Sequence, residues 1–172
     1  MVLATEYART NKIPFLGICL GSQIMAIEFA RNVLGIADAN SEEFSPEGKS
    51  NVVRIMETQK SVRSKGGTMR LGTYPCEIRK RTLAHEIYGV ETVSERHRHR
   101  FEFDPEYRER MEQAGFVVSA VSPDGLLAEI VELRDHPYMI ATQAHPEFKS
   151  RPTRPHPLFL GLVREMGKNA KG

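Results

Sequence analysis

Between Ile13 and Leu34 a short apolar run passes through Gly17-Ile18-Cys19-Leu20-Gly21 into a helical pattern, and this junction constrains the fold more than any other stretch. The segment Ile13-Pro14-Phe15-Leu16-Gly17-Ile18 suits a buried strand, with Pro14 near its start, where a missing N–H costs least. From about Gly21 to Leu34, residues Ile24, Ala26, Ile27, Ala30, Val33 and Leu34 surround a narrow polar stripe of Glu28, Arg31 and Asn32. That pattern predicts a largely buried helix stopped by Gly35. A strand delivered into a helix through two glycines is a nucleophile elbow, here with sulfur in place of a hydroxyl. Cys19 then lies at the positive end of a helix, which favours thiolate, and the Leu20 N–H points toward an oxyanion forming on a substrate carbonyl. The plainer alternative is a small buried cysteine in a glycine-rich turn. With 13 Gly and 2 Cys in the chain, Gly-x-Cys-x-Gly arises by chance about once per hundred such sequences.

The 172 residues fit one domain. Ala4 to Asn11 reads as a helix, and Ala37 to Gly72 as irregular chain around one strand, Asn51 to Met56. Pro105 to Ala114 is a helix that Asp104 can cap and Gly115 can stop. Phe116 to Val121 and Leu126 to Leu133, joined by Ser122-Pro123-Asp124-Gly125, form a hairpin. Tyr138 to Ala144 is a further strand and Pro157 to Met166 a closing helix. Early alternation of helix and strand with later hairpins predicts an α/β sheet with an antiparallel portion. No apolar run of membrane-spanning length occurs, and Met1 to Lys12 lacks the apolar core of a signal peptide, so a cytoplasmic location and no membrane partner are expected. Cys19 and Cys76 are too few for a disulfide framework.

A thiol nucleophile needs a base. Among the six histidines, His145 follows a predicted strand in Ala144-His145-Pro146-Glu147-Phe148. A strand end is where open α/β sheets gather chemistry, and Glu147 can accept the second imidazole N–H. His-Pro-Glu alone also suits a solvated turn; its weight comes from the upstream cysteine. The basic run Arg96 to Arg100 invites a nucleic-acid reading. However, Ile78 to Arg110 holds eight basic residues (Arg79, Lys80, Arg81, Arg96, Arg98, Arg100, Arg108, Arg110) against seven acidic (Glu86, Glu91, Glu95, Glu102, Asp104, Glu106, Glu109), and the whole chain carries only +2. So balanced a surface releases few counterions, and no nucleic-acid partner is expected. His97 and His99 lack further ligands at zinc spacing and read as a polar, solvated loop; no metal is expected. Cys76 follows Tyr74-Pro75 in a strand-like stretch without flanking glycines and reads as a packed thiol, not a second nucleophile.

The elbow together with His145-Pro146-Glu147 resembles the class I glutamine amidotransferases, whose triad is Cys, His and Glu. Asp38 to Phe44, Gly66 to Gly72, Glu95 to Phe101 and His145 to Phe148 narrow the resemblance to the glutaminase domains of the CTP synthases, over Lys12 to about Gly161. The resemblance implies a flavodoxin-like mixed sheet flanked by helices, with an antiparallel portion. It implies hydrolysis of L-glutamine by Cys19, His145 and Glu147, with Leu20, Gln23, Glu43 and Arg100 around the glutamine. It also implies transfer of ammonia to a synthetase domain that uses Mg-ATP to aminate UTP to CTP, in an enzyme expected to be a homotetramer. No cofactor is expected in this chain itself. Only Val2 to Ile18 precede Cys19, so the early strands, an oxyanion glycine loop and the synthetase domain are expected to be missing. On that reading the isolated chain is weak or inactive as a glutaminase, and the rival reading is an incompetent fragment serving structure or assembly. Ser22 departs from the Met expected by resemblance, which alters packing and not chemistry.

Overall fold

A computed structural model describes residues 1–55 and 69–169. Helix α1 (Val2–Thr10) leads to β1 (Phe15–Ile18), and α2 (Leu20–Asn32) follows after one residue. Next come β2 (Asn40–Ser41), β3 (Asn51–Ile55), β4 (Arg70–Ile78), α3 (Leu83–Tyr88), β5 (Thr92–His99) and β6 (Phe101–Phe103). A 3-10 turn (Pro105–Tyr107) continues as α4 (Arg108–Gln113), then β7 (Phe116–Val121), β8 (Ala128–Leu133), β9 (Met139–Thr142), a second 3-10 turn (Pro146–Phe148) and α5 (Pro157–Asn169). The main sheet runs β1-β9-β8-β7-β4-β5, and β2-β3-β6 form a smaller one. In the main sheet β1 and β9 are parallel, whereas the other pairs are antiparallel. This is the expected mixed α/β sheet flanked by helices.

Strand β9 shows why the layers form. Its four residues are all buried, because helices cover both faces. Met139 and Ala141 pack with Met25 and Phe29 of α2, whereas Ile140 packs with Leu158 of α5 and Ala84 of α3. A strand enclosed on both faces reads as an unbroken apolar run, and each large side chain buried this way contributes about 1.5–3 kcal/mol. Gly17 lets β1, β9 and α2 approach: a Cβ there would lie 2.7 Å from Ala141 Cβ and 2.8 Å from the Gly21 backbone.

The structure corrects several expectations. Glu28, on the narrow polar stripe of α2, is itself fully buried, held by Arg9 Nη2 at 2.8 Å, Arg9 Nε at 3.0 Å and Asn32 Nδ2 at 2.9 Å. The helix expected from Pro105 starts as a 3-10 turn, where Asp104 accepts from Glu106 N at 3.0 Å, before becoming α-helical at Arg108. The β3 strand ends at Ile55 among the described residues, and Met56 and Gly66 to Thr68 lie outside them. The largest departure is the β4–β5 hairpin, paired from Arg70↔His99 to Glu77↔Thr92. His97 and His99 therefore lie on a strand and are buried, not in a solvated loop. Along β5, Glu95, His97 and His99 point inward while Arg96 and Arg98 point outward. With both faces polar, the two-residue period leaves no hydropathy signal. Cys76 is buried, as a packed thiol should be.

Candidate active site

Cys19 occupies the junction of β1 and α2 with φ 49° and ψ −103°, a backbone conformation that costs a non-glycine residue roughly 1–3 kcal/mol. The nucleophile position itself takes the kink, while neither Gly17 nor Gly21 is left-handed. Its N–H donates to Thr142 O at 2.8 Å, which ties the elbow to the end of β9. Parallel pairing of Ile18 with Thr142 then brings the residues after β1 beside those after β9. Cys19, Gln143 and His145 emerge together at this edge.

His145 is anchored by its N–H, which donates to Arg96 O of β5 at 2.7 Å. Its Nδ1 lies 2.6 Å from Glu147 Oε1. A carboxylate accepts, so the proton sits on Nδ1 and the Nε2 lone pair is free to act as a base. Phe148 stacks on the imidazole at 5.2 Å, and Arg96 lies over the other ring at 5.9 Å.

The sulfur faces a pocket of about 350 Å³ lined by Cys19, Leu20, Gln23, Glu43 and Arg100, with Met69, Arg98, His99 and Phe101. All of the expected glutamine contacts thus meet in one place. Gln23, one helical turn after Cys19, donates from Nε2 to Phe101 O at 3.1 Å and lies 3.4 Å from Gln143 Oε1. Its carbonyl oxygen therefore remains for a donor in the pocket. Around the sulfur itself, Gln143 Nε2 approaches to 3.8 Å and Arg98 O to 3.9 Å. Burial pushes the Cys19 thiol above its ordinary value; the Leu20 N–H pulls it back, Glu147 pushes it up, Gln143 pulls it back and Glu102 adds a smaller push. Burial thus opposes the thiolate that the helix end favours. Gln143 and the Phe101 carbonyl were not singled out from sequence. Gln143 had one available signal: it stands two residues before His145, near the end of a predicted strand.

Behind the pocket wall lies a buried ionic cluster. Arg70 Nη2 donates to Glu129 Oε1 at 2.7 Å and Nη1 to Glu102 Oε1 at 3.3 Å. His97 Nδ1 and His99 Nε2 are 2.9 Å apart, and His99 Nδ1 is 3.2 Å from Phe101 O. A carbonyl can only accept, so His99 Nδ1 donates, His97 Nδ1 donates to His99 Nε2, and the His97 Nε2 lone pair faces Glu129 Oε2 at 3.4 Å. Burial, aided by the Arg70 charge, pulls both histidines down to about 3. Burial also pushes Glu102 up to about 8 against the pull of Arg70. Burial pushes Glu129 up as well, against the hydrogen bond and charge of Arg70, so one guanidinium serves two carboxyls that both resist ionisation. Among the described residues no group of His, Cys, Asp and Glu is arranged to hold a metal, and no helix is long and apolar enough to cross a membrane.

Comparison with known proteins places these features in context. The family model for glutamine amidotransferase class-I matches residues 1–165. CTP synthase of Carboxydothermus hydrogenoformans is 59% identical over 162 residues, and that of Bacillus subtilis 56% over 162, each match covering 94% of this chain and 30% of the relative. The chain thus spans under a third of those proteins. Among solved structures, the glutaminase domain of Trypanosoma brucei CTPS with bound acivicin superposes with a TM-score of 0.90 at 40% identity, over 97% of this chain and 65% of that one. A Thermoplasma acidophilum protein described as a GMP synthase subunit shares the fold alone, at TM-score 0.61 and 16% identity.

Proposed function

The chain belongs to the class I glutamine amidotransferase family, and on that footing we propose that it hydrolyses the side-chain amide of L-glutamine to glutamate and ammonia through a thioester on Cys19. The observation that carries this reading is the meeting of Cys19 with the hydrogen-bonded His145–Glu147 pair at the adjacent ends of β1 and β9.

Because burial favours the protonated thiol, attack needs a base. His145 Nε2 takes the thiol proton as Sγ bonds to the amide carbon, and the carbonyl electron pair moves to oxygen, beside the Leu20 N–H. Collapse breaks the C–N bond, and the nitrogen leaves as ammonia with the proton returned by His145. A water deprotonated by His145 then attacks the thioester, the C–S bond breaks, and the sulfur is reprotonated as glutamate departs. Glu147 holds the imidazole in the required tautomer and stabilises the imidazolium. In the pocket, Glu43 suits the α-ammonium group, Gln23 Oε1 accepts an N–H, Leu20 contributes backbone, and Arg100 closes the wall.

The names of the relatives extend the proposal. The ammonia feeds an ATP-dependent amination of UTP to CTP, with Mg-ATP and UTP held by a synthetase portion outside this chain. A glutamine-derived diazoketone tests the site without depending on turnover. One covalent adduct on Cys19, read by intact mass and peptide mapping and absent from Cys19→Ala, is the expected result. A folded chain that stays unlabelled overturns the reading.

A further inference from the structure

We propose that Gln143 is a further catalytic residue, whose side-chain amide donates a hydrogen bond to Cys19 Sγ and holds the sulfur once its proton has left. The inference deepens the reading of Cys19 as nucleophile and rests on it.

The orientation of the amide follows from its neighbours. The Phe101 carbonyl can only accept, so the group 3.1 Å away is the Gln23 amine, Nε2. The second hydrogen of that nitrogen is directed to Gln143 Oε1 at 3.4 Å. Only the amine of Gln143 is then left to face the sulfur, at 3.8 Å. Gln143 is itself buried, and its backbone N–H donates to Glu129 O at 3.0 Å, so the side chain is anchored from behind.

Two opposite partners therefore flank the sulfur. Arg98 O, at 3.9 Å, accepts the S–H of the resting thiol but offers nothing to a thiolate. The Gln143 amine stabilises the thiolate and cannot accept from the thiol. When His145 removes the proton, the sulfur exchanges its carbonyl partner for the amide, and attack begins from a sulfur already held by a donor. The same chain of amides links the pocket to the nucleophile: Gln23, which lines the glutamine pocket, fixes the direction in which Gln143 points.

Other titratable groups lie around this sulfur: Glu43 from the loop after β2 and Arg98 of β5 with Arg100 beyond it line the same pocket, and Glu147, two residues after His145, and the buried Glu102 of β6 act on it through space. They are the same in the parent chain and in variants at Gln143, so a difference between those chains reports the amide.

The test is the pH dependence of Cys19 alkylation by iodoacetamide, with the site of labelling located by mass spectrometry. Gln143→Met keeps the volume and removes the donor; its alkylation midpoint is expected to rise by roughly half a unit to one unit, slowing labelling near neutrality about three- to tenfold. Gln143→Glu places a carboxylate there and should rise further. In the parent chain, the Gln143 side-chain amide resonance in a ¹⁵N-glutamine-labelled sample should shift with the same midpoint as alkylation, a readout that needs no variant to fold. An unchanged midpoint in a folded Gln143→Met chain, or an amide resonance that does not respond to Cys19 ionisation, overturns the role of Gln143. Failure of the parent Cys19 to react at all would instead sink the nucleophile reading beneath it.

Discussion

Two histidine–glutamate arrangements sit close together in this fold and do opposite things. His145 and Glu147 lie 2.6 Å apart with side chains 20% and 45% exposed, whereas His97 and Glu129 lie 3.4 Å apart with both 1% exposed. Water reaches the first pair, which is the exposure that the proposed base requires. The second pair is sealed beneath β5, and burial keeps its histidine neutral. The residue types are the same; solvent access separates the proposed base from a structural strut.

The largest effect expected from breaking this contrast falls on the exposed side. Cys19→Ala or His145→Ala should lower glutamine hydrolysis by ~10³-fold or more, since each removes a group that itself makes a bond or moves a proton in the proposed mechanism, with little change in the melting midpoint. Glutamate release and a thermal melt check both halves.

On the buried side the damage should fall on stability. Arg70→Met leaves Glu102 and Glu129 without their guanidinium, and removing one partner of a buried ion pair costs about 3–5 kcal/mol. Denaturant unfolding should show that loss; a variant as stable as the parent would mean that the cluster merely fills space.

Acid sharpens the comparison further. His97 and His99 are held neutral to about 3 against an ordinary 6.5, so their stabilising contribution is present above 6.5 and is lost as pH falls toward 3. Glu102 runs the other way: its protonated form is favoured up to about 8 against an ordinary 4.5, so its contribution is lost as pH rises through 8. The two windows overlap between 4.5 and 6.5, so the melting midpoint should be highest near 6.5, and Glu102→Gln should remove the fall between 6.5 and 8 while steepening the fall in acid.

The smallest effect is expected at Glu147. With 45% of its side chain exposed, its pair with His145 is worth at most about 1 kcal/mol, roughly fivefold in rate. Glu147→Gln should cost about that much in kcat, and a far larger loss would show that the carboxylate is shielded during turnover.

The same contrast explains what the sequence made legible. Cys19, His145 and Glu147 were readable because an elbow and a strand end leave local marks: glycines, an apolar run, a proline turn. Strand β9 and the β7–β8 hairpin were readable because their apolar content follows from enclosure. Strand β5 was not, because its inward residues, Glu95, His97 and His99, are polar and owe their burial to partners that no hydropathy pattern marks: His156, distant in sequence, for Glu95, and each other with the Phe101 carbonyl for the histidines. Gln143 was missed for a related reason. Its role depends on Gln23 and Phe101, which only the folded chain brings beside it.

The left-handed backbone at Cys19 sets the direction in which such a chain would drift. Glycine at this position would relax the kink and regain about 1–3 kcal/mol, while abolishing the nucleophile. On the proposed mechanism, activity and stability are opposed at this residue, so a descendant freed from selection for hydrolysis would be stabilised by Cys19→Gly. The bend that makes the sulfur reachable also makes loss of function the downhill path.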